Sequence, residues 1–202
     1  MADIPPGLSG NPIHYSSGGL EGSKWRQLPT TTRHYTNAYV VQDGRVLLGM
    51  KKRGWGQGKY NGFGGKVDAG ETPLEAAKRE LKEEAGIDAH LVPTGTLLFL
   101  TDDVEWAFHV HIYRADSFTG TITESEEMRP EWFSASVDVS SPTEPPPIPF
   151  DKMWETDHVW LPLLVAQKSF AGRADYVGEK DNSKPYKWWC GLLEEPAAVE
   201  SQ

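Results

Sequence analysis

The positions of apolar side chains along the chain predict five strands and two helices. Short apolar and β-branched runs flank residues 42–44, whose turn-forming types predict a β-hairpin, and a second pair of runs flanks residues 101–103. Val46, Leu47 and Leu48 follow one another without a polar break, which indicates a strand buried on both faces. The predicted strands are residues 33–41, 45–50, 91–100, 106–113 and 131–133.

The first helix, predicted over residues 71–87, has a clear start and a clear end. Thr72 is placed as the N-cap, Pro73 takes the first helical position, and Glu75 completes a capping box. Gly86 is placed to end the helix in a left-handed conformation. The side chains that form its apolar stripe are Leu74, Ala77, Leu81 and Ala85.

A second helix is predicted from residue 151 to about residue 168, and Pro162 is expected to bend or break it. Residues 140–149 contain five prolines and predict an extended loop. The apolar side chains at helical intervals in the second helix are Trp154, Leu161, Leu164 and Val165.

The chain ends differ in composition from its middle. Residues 1–32 are rich in Gly, Pro, Ser and Thr without periodicity, and we expect a disordered or loosely packed extension. Residues 33–175 are expected to form one domain. Residues 176–202 are expected to be a partly packed or flexible extension, because their apolar side chains are few apart from residues 188–189 and 192–193.

Strands interleaved with two helices indicate an α/β (α+β) fold, in which a mixed sheet lies between helices as an α/β/α sandwich. The length of 202 residues suits a single domain with tails. Periodicity alone does not separate this sandwich from other α+β folds.

Composition narrows the classes of partner. The net charge is −9 at pH 7, so we expect no nucleic-acid polymer as a partner. No run approaches the roughly 20 apolar residues that cross a bilayer, and the first residues do not resemble a signal peptide. The single cysteine, Cys190, excludes an intramolecular disulfide and fits a reducing compartment. We expect a cytoplasmic monomer without membrane contact, while a nuclear or mitochondrial location stays open.

Three carboxylates crowd one side of the first helix. Glu80, Glu83 and Glu84 are spaced i, i+3 and i+4, so they project together and repel one another. A solvated acidic face is the common reason for such a cluster. A hard divalent cation is the alternative, because it takes oxygen ligands and offsets the repulsion.

The segment before this helix favours the metal site. Residues 51–67 are rich in glycine, which allows the backbone to approach a ligand closely, and they carry most of the nearby positive charge. A basic, glycine-rich loop that leads into a carboxylate-bearing helix is what a metal–phosphate site requires. The basic residues of the loop are Lys51, Lys52, Arg53, Lys59 and Lys66.

Residues 65–87, which include Gly65, Glu71 and the run from Arg79 to Ile87, resemble the complete Nudix box. The wider chain resembles the eukaryotic MutT-type oxidised purine nucleoside triphosphatases over about residues 34–175. The segments that carry this wider resemblance are residues 45–54, 61–67, 127–130 and 153–164.

The resemblance implies a fold and an activity. The fold is the Nudix α/β/α sandwich. The activity is Mg²⁺-dependent hydrolysis, with Mn²⁺ as an alternative ion, of small nucleotide substrates such as 8-oxo-dGTP and 2-oxo-dATP. The products are a monophosphate and pyrophosphate, and the reaction keeps oxidised nucleotides out of the DNA precursor pool.

The resemblance also implies roles for individual residues. Arg79 is expected to orient a glutamate and to pair with Glu71, and either Glu83 or Glu84 is expected to be the general base. Adjacent carboxylates titrate together, so the two stay open. The implied metal-binding positions are Gly64, Gly65, Glu80, Glu83, Glu84 and Glu127.

The base-reading segment is expected to be residues 154–157, with Trp154 stacking on the purine and Asp157 bonding to its edge. The substrate-binding positions that we expect from the resemblance and from the chemistry of the side chains are Thr36, Lys51, Trp55, Asn61, Phe63, Lys66, Phe99, Phe108, Trp154, Thr156 and Asp157.

One position departs from the family pattern. The animal enzymes have two adjacent aspartates where this chain has Thr156 and Asp157. Threonine cannot share a proton with a neighbouring carboxyl, so we expect altered discrimination among 8-oxoguanine, 2-oxoadenine and unmodified bases. We also expect His109 and His111 to point to opposite faces of a strand and not to bind a metal jointly.

Three alternatives stay open. The substrate of this Nudix domain could instead be a dinucleoside polyphosphate, an ADP-sugar or a nucleotide cap. The domain could bind nucleotides without hydrolysing them. The tails could carry an interaction function that is separate from catalysis.

Overall fold

The computed structural model describes residues 3–136, 144–178 and 183–194. Its elements in chain order are β1 (Ile13–Gly19), β2 (Thr31–Gln42), β3 (Arg45–Lys51), β4 (Tyr60–Asn61), α1 (Pro73–Ala85), β5 (Ile87–Ala89), β6 (Val92–Leu100), β7 (Trp106–Ala115), β8 (Phe118–Gly120), β9 (Met128–Ser134), a 3-10 turn (Phe150–Lys152), α2 (Asp157–Val165), β10 (Phe170–Val177) and β11 (Lys184–Leu192).

A nine-stranded mixed sheet forms the centre of the molecule. Eight strands follow the order β1-β11-β10-β6-β7-β2-β3-β4, and β9 pairs with β3 outside this path. The β2–β7 and β6–β10 pairs are parallel, while β3 pairs antiparallel with both β2 and β9. A separate ribbon joins β5 to β8.

The helices cover opposite faces of this sheet, which gives the predicted α/β/α sandwich. Strand alternation directs Ala38 and Val40 of β2 to one face, where they pack with Leu81 of α1. Tyr39 and Val41 point to the other face and join the core that contains α2. The helices therefore bury the two faces of β2 separately.

Local signals set the ends of α1 as predicted. The Thr72 side chain accepts a hydrogen bond from the Glu75 N–H, the Glu75 carboxylate accepts one from the Thr72 N–H, and Pro73 is the first helical residue. Gly86 closes the helix with φ of 75° and donates its N–H to the Lys82 carbonyl. This fixes the direction in which the α1 carboxylates project.

The N-terminal expectation is wrong for residues 13–19. They form β1, which pairs antiparallel with β11 at the edge of the main sheet. Further along, the Arg173 guanidinium donates to the carbonyls of Pro6 and Arg26, and the Arg26 N–H donates to Asp175. The N-terminal residues are held by backbone pairing and by buried polar contacts. A search for periodic apolar residues detects neither kind of interaction.

The second predicted helix is shorter than expected. It begins at Asp157 after a 3-10 turn, it ends at Val165, and Pro162 lies inside it. The strands β10 and β11 occupy most of residues 170–192, so the main sheet extends beyond the predicted domain end at residue 175 into the predicted C-terminal extension. Part of the predicted proline-rich loop and the last residues of the chain lie outside the described residues. Within the described residues, no helix has the length and apolar character needed to span a bilayer.

The expectation for His109 and His111 is also wrong. Side chains two residues apart on a strand point to the same face, since the side-chain period of a strand is two. The two imidazoles are stacked, with ring centroids 4.6 Å apart.

Candidate functional site

The glycine loop and α1 meet at two backbone–carboxylate contacts. The Gly64 N–H donates to Glu84 Oε2 at 2.8 Å. A β-carbon added at Gly65 would overlap with Glu80 Oε1, and one added at Gly64 would overlap with the Thr36 carbonyl. Glycine is therefore required at position 64, where the loop backbone lies directly against the β2 backbone, while a side chain at position 65 would displace the Glu80 carboxylate.

Arg79 holds the outer carboxylates in place. Its guanidinium donates to Glu71 at 2.7 Å and 3.2 Å, to Glu80 at 2.8 Å and to Glu83 at 3.3 Å. The carboxylates of Glu71 and then Glu80 raise the pKa of Arg79. The predicted pairing with Glu71 is present, and the same guanidinium also reaches Glu80 and Glu83 on its own helix.

The carboxylates of α1 differ in their surroundings. Glu84 is buried, and burial raises its pKa to about 8, with a further increase from Glu80 and Glu127 that the Gly64 N–H and Lys51 oppose. Burial also raises the pKa of Glu80. Glu83 is more open, with 59% of its side chain exposed.

The residues present fit a hard divalent cation. A buried carboxylate beside two others is unfavourable as an anion, and one guanidinium already shared among several carboxylates compensates it only in part. A cation with oxygen ligands would offset this cost. The charges of Glu80 and Glu127 act on Glu84, and those of Glu83 and Glu127 act on Glu80. Glu127 is carried next to Lys51 by the β3–β9 pairing and forms an ion pair with Arg53.

A cavity of about 620 Å³ extends from the glycine loop across the α2 face of the sheet. Its size suits a nucleotide-sized ligand. The described residues that line it are Tyr35, Thr36, Asn37, Lys51, Arg53, Gly54, Trp55, Gly56, Lys59, Asn61, Gly64, Gly65, Lys66, Leu97, Phe99, Thr101, Phe108, Val110, Glu127, Trp154, Asp157, Trp160, Tyr176 and Ser183.

Aromatic side chains form one wall of this cavity. The ring centroids of Trp55 and Trp154 are 5.1 Å apart, and those of Trp55 and Phe108 are 5.6 Å apart. Trp55 is 46% exposed, which is unusual for so large an apolar side chain. The Lys59 ammonium lies 4.8 Å from the Trp154 ring centroid and donates to the Met153 carbonyl, which limits the movement of this segment. A flat ligand can stack on this wall.

Asp157 contributes a buried carboxyl to the cavity lining. One oxygen accepts from the Trp154 N–H at 3.1 Å and the other from the Trp160 indole N–H at 3.2 Å. Burial raises the pKa of Asp157 to about 7, although these two donors and Lys59 lower it. At neutral pH the carboxyl can therefore donate a proton or accept one.

Asn61 presents an oriented amide. Its side-chain oxygen accepts from the Gly62 N–H at 2.9 Å, from the Tyr39 hydroxyl at 2.9 Å and from Asn37 at 3.1 Å. Because a backbone N–H can only donate, the atom that it contacts is the amide oxygen. The Asn61 NH₂ group is then the part available to a ligand, as a donor.

Thr156 is placed differently from the expectation. Its side chain is buried, and its hydroxyl lies 2.9 Å from the Tyr176 hydroxyl. Tyr176 lines the cavity, whereas Thr156 is not among the described lining residues. Thr156 therefore contacts a cavity-lining residue, Tyr176, and does not itself line the cavity among the described residues.

The structure brings most of the expected residues to one cavity, but the α1 residues Arg79, Glu80, Glu83 and Glu84 are not among its described lining residues. Phe63 is fully buried in the core under α1 and, like Thr156, is not among the described lining residues. Contact of either side chain with the substrate stays a prediction. Residues that we did not anticipate at the cavity include Lys59, Trp160 and Tyr176. No sequence pattern placed Tyr176 at the cavity, because it lies in β10 and the sequence did not predict that strand. The expected residues that line the cavity are Thr36, Lys51, Trp55, Asn61, Gly64, Gly65, Lys66, Phe99, Phe108, Glu127, Trp154 and Asp157.

Known proteins share this fold and much of this sequence. The oxidized purine nucleoside triphosphate hydrolase of Danio rerio is 46% identical over 149 residues, which cover 73% of this chain and 89% of that protein. The protein of the same name from Mus musculus is 47% identical over 144 residues, covering 71% and 86%.

Among solved structures, the Mutator MutT protein of Bacillus halodurans superposes with a TM-score of 0.55 at 25% identity, covering 76% of this chain and 97% of that one. The family model for the NUDIX domain matches residues 32–163, which span the glycine loop, α1 and most of α2. The chain belongs to the Nudix family.

Proposed function

We propose that this protein is a Mg²⁺-dependent pyrophosphohydrolase that converts oxidised purine nucleoside triphosphates, such as 8-oxo-dGTP and 2-oxo-dATP, into monophosphate and pyrophosphate. The relatives named oxidized purine nucleoside triphosphate hydrolase support this substrate class. The Nudix family membership supports hydrolysis next to a phosphate group.

One observation carries the proposal. The same cavity is lined by aromatic side chains, by the two polar groups Asp157 and Asn61, and by the glycine loop and Glu127. A purine held against Trp154 would place its phosphates toward Lys51 and the glycine loop. A site for phosphate alone would have no use for the buried Asp157.

The base-edge groups would recognise an altered purine by their donor and acceptor pattern. The Asn61 NH₂ can donate to a ring nitrogen or an oxygen. The Asp157 carboxyl can present a donor and an acceptor together when it is protonated. A site built to bond a polar group rejects an analogue that lacks it, since its own buried groups are then left unpaired.

Hydrolysis would depend on neutralising the charge of the phosphates and on holding the attacking water and the carboxylates in position. A bound divalent ion would neutralise phosphate charge and lower the pKa of water. Glu80, Glu84 and Glu127 are the carboxylates that would hold it, with Gly64 and Gly65 supplying backbone contacts. Lys51 and Lys66 would bind phosphate oxygens, and Arg79 would keep Glu80 and Glu83 oriented. Glu84, fixed by Gly64, and Glu83 remain the two candidate bases for the proton of the attacking water.

The biological setting is part of the proposal. Such an enzyme removes oxidised nucleotides before a polymerase can incorporate them, and so prevents DNA damage. The acidic net charge and the single cysteine support action on a free nucleotide in a reducing compartment such as the cytoplasm. We also propose that it acts as a monomer.

Steady-state hydrolysis of 8-oxo-dGTP, 2-oxo-dATP and dGTP with Mg²⁺, followed by release of pyrophosphate, tests this function. We expect kcat/KM for at least one oxidised nucleotide to be well above that for dGTP. Equal or negligible rates on all three would overturn the substrate assignment. Activity on a dinucleoside polyphosphate, an ADP-sugar or a capped nucleotide would then identify another Nudix hydrolase, and nucleotide binding without hydrolysis would identify a binding domain.

A further inference from the structure

Three imidazoles converge on the sheet outside the nucleotide cavity. His34, His109 and His111 each offer a ring nitrogen, and these nitrogens all lie within 4.8 Å of one another. His34 Nδ1 lies 3.0 Å from His111 Nε2. None of the three lines the cavity among the described residues, so the cluster is separate from the proposed base-reading groups.

The register of two parallel strands produces this cluster. His34 of β2 is paired with His109 of β7, and Thr36 is paired with His111. Since side chains on one strand face the same way every second residue, all of these point to the α1 face of the sheet. The three rings are thus held by adjacent central strands and not by mobile loops.

The rings are packed closely enough to disfavour protonation. His109 and His111 stack with ring centroids 4.6 Å apart and an interplanar angle of 12°. Burial lowers the pKa of His111 to about 4, with contributions from His109 and His34, and burial also lowers the pKa of His109. At neutral pH both rings keep the lone pair that a metal ligand needs.

A buried hydroxyl lies beside the cluster. Thr36 is 2% exposed, and its hydroxyl has no hydrogen-bond partner among the described residues. It shares the α1 face with His34 and is paired in register with His111. A ligand or its bound water at the three imidazoles would satisfy this hydroxyl, as a buried polar group normally requires.

We propose that His34, His109 and His111 form a binding site for a divalent transition-metal ion of the Zn²⁺ class, separate from the carboxylate site of α1. Imidazole suits Zn²⁺, Ni²⁺ and Cu²⁺, whereas Mg²⁺ prefers oxygen ligands. Zinc–nitrogen bonds of about 2.0–2.1 Å set tetrahedral ligand atoms about 3.4 Å apart. Small rotations of the rings, led by the exposed His34, bring the nitrogens from their present separation to this spacing.

The ion would join β2 to β7 at the part of β2 to which the glycine loop is attached. The His34 carbonyl accepts from the Val67 N–H at 3.0 Å, and the Thr36 N–H donates to the Gly65 carbonyl at 2.9 Å. The glycine loop is therefore attached to the β2 segment that carries the cluster. Zn²⁺ bound here would tie β2 to β7 and stabilise the strand to which this loop is fixed.

Calorimetric titration of the tag-free full chain with Zn²⁺ tests the site, with Mg²⁺ present in excess to occupy the carboxylates. The matched variants are His34→Ala, which removes an exposed ligand without opening the core, and His90→Ala, which removes an exposed histidine outside the cluster. Two further readouts are the Zn²⁺-induced change in melting temperature and the visible absorption of Co²⁺ bound in place of Zn²⁺.

The expected result is one Zn²⁺ per chain for the native protein and His90→Ala, with a raised melting temperature and a four-coordinate Co²⁺ spectrum. His34→Ala should weaken Zn²⁺ binding by at least about 100-fold, because even removal of a group that only supports a ligand costs 10–100-fold. His111→Asn should abolish the Co²⁺ spectrum. Failure of the native protein to bind Zn²⁺, or unchanged binding by His34→Ala, would overturn the proposal.

Discussion

The hydroxyls of Thr156 and Tyr176 lie 2.9 Å apart, and Tyr176 alone of the two lines the cavity among the described residues. The position at which the chain departs from the family pattern is therefore connected to the cavity through a residue of β10. We therefore expect any effect of Thr156 on the discrimination among purine bases to act through this pair of hydroxyls.

Tyr176→Phe is expected to change the ratio of kcat/KM for 8-oxo-dGTP to that for 2-oxo-dATP by about 10-fold. One hydrogen bond contributes about 1–1.5 kcal/mol, and 1.4 kcal/mol is a factor of ten. Tyr60→Phe is the control, because Tyr60 is a buried tyrosine that is not among the described lining residues. The same ratio in all three proteins would exclude a role for Tyr176 in base selection.

Thr156→Asp is expected to change the same ratio, since it places a second carboxyl next to Asp157. Two buried carboxyls in contact share a proton, which alters the donors and acceptors offered to the base edge. Parallel kcat/KM measurements on 8-oxo-dGTP, 2-oxo-dATP and dGTP check this. If the order of the three substrates and the ratios between them stay as in the native protein, Thr156 has no part in discrimination.

Asp157 is expected to make stability depend on pH. Its folded-state pKa of about 7 lies above the ordinary value of 3.8, so the folded protein keeps a proton that the unfolded chain releases. This contribution is complete below about pH 4 and is lost as the pH rises to about 7. The free energy of unfolding of the native protein should fall over this range by about 2–4 kcal/mol relative to that of Asp157→Asn.

Urea unfolding of both proteins at several values between pH 4 and pH 8 measures this difference. The comparison cancels the titration of groups that the two proteins share. Asparagine also loses one of the two hydrogen bonds that Asp157 accepts, which shifts all values equally. If the difference in free energy of unfolding between the two proteins does not change with pH, the pKa of Asp157 is not raised in the folded protein.

Glu84→Gln is expected to reduce kcat by about 100-fold or more and to raise the melting temperature when a chelator is present. Burial raises the pKa of Glu84 to about 8, so the metal-free chain must take up a proton to fold at neutral pH, and glutamine removes this cost while its amide oxygen can still accept from Gly64. Glu126→Gln, with a side chain 91% exposed, is the matched control. Steady-state kinetics and melting curves with and without Mg²⁺ check both effects. Undiminished activity of Glu84→Gln would show that the Glu84 carboxylate is not needed for hydrolysis.

Asp175→Ala is expected to destabilise the protein by about 3–5 kcal/mol, because it leaves the fully buried Arg173 guanidinium without its counter-charge. The same change removes the acceptor of the Arg26 N–H, so residues 5–26 should become sensitive to protease. Asp88→Ala, which breaks an exposed pair with Lys82, should alter stability little. Urea unfolding and limited proteolysis provide the two readouts. A tail that is only loosely attached would be cleaved equally in all three proteins.

Much of the catalytic half of the molecule could be predicted from local sequence. The Thr72 cap, the Gly86 stop and the spacing of Glu80, Glu83 and Glu84 depend on residues close together in the chain, so they can be recognised without knowledge of tertiary contacts. The Asp43–Gly44 turn does the same for β2 and β3, since both residues adopt positive φ there.

The missed elements have a common physical cause. In β10 the polar residues Arg173 and Asp175 are fully buried as a pair, so the strand lacks the alternation that reveals a half-exposed strand. The strand β1 has mostly exposed side chains and is held by backbone hydrogen bonds to β11, which no apolar pattern reports. Without β10, the sequence offered no reason to place Tyr176 at the cavity.

By itself, the sequence determined the family, the helix that carries the carboxylates, the glycine loop and most of the residues that meet at the cavity. Only the tertiary structure decided that the Thr156 hydroxyl contacts that of Tyr176, that Phe63 belongs to the core, and that His34 joins His109 and His111. These relationships connect residues far apart in the chain, and they depend on strand order and register. The order and register of strands are set by the packing of the whole sheet, and no local stretch of sequence contains that information.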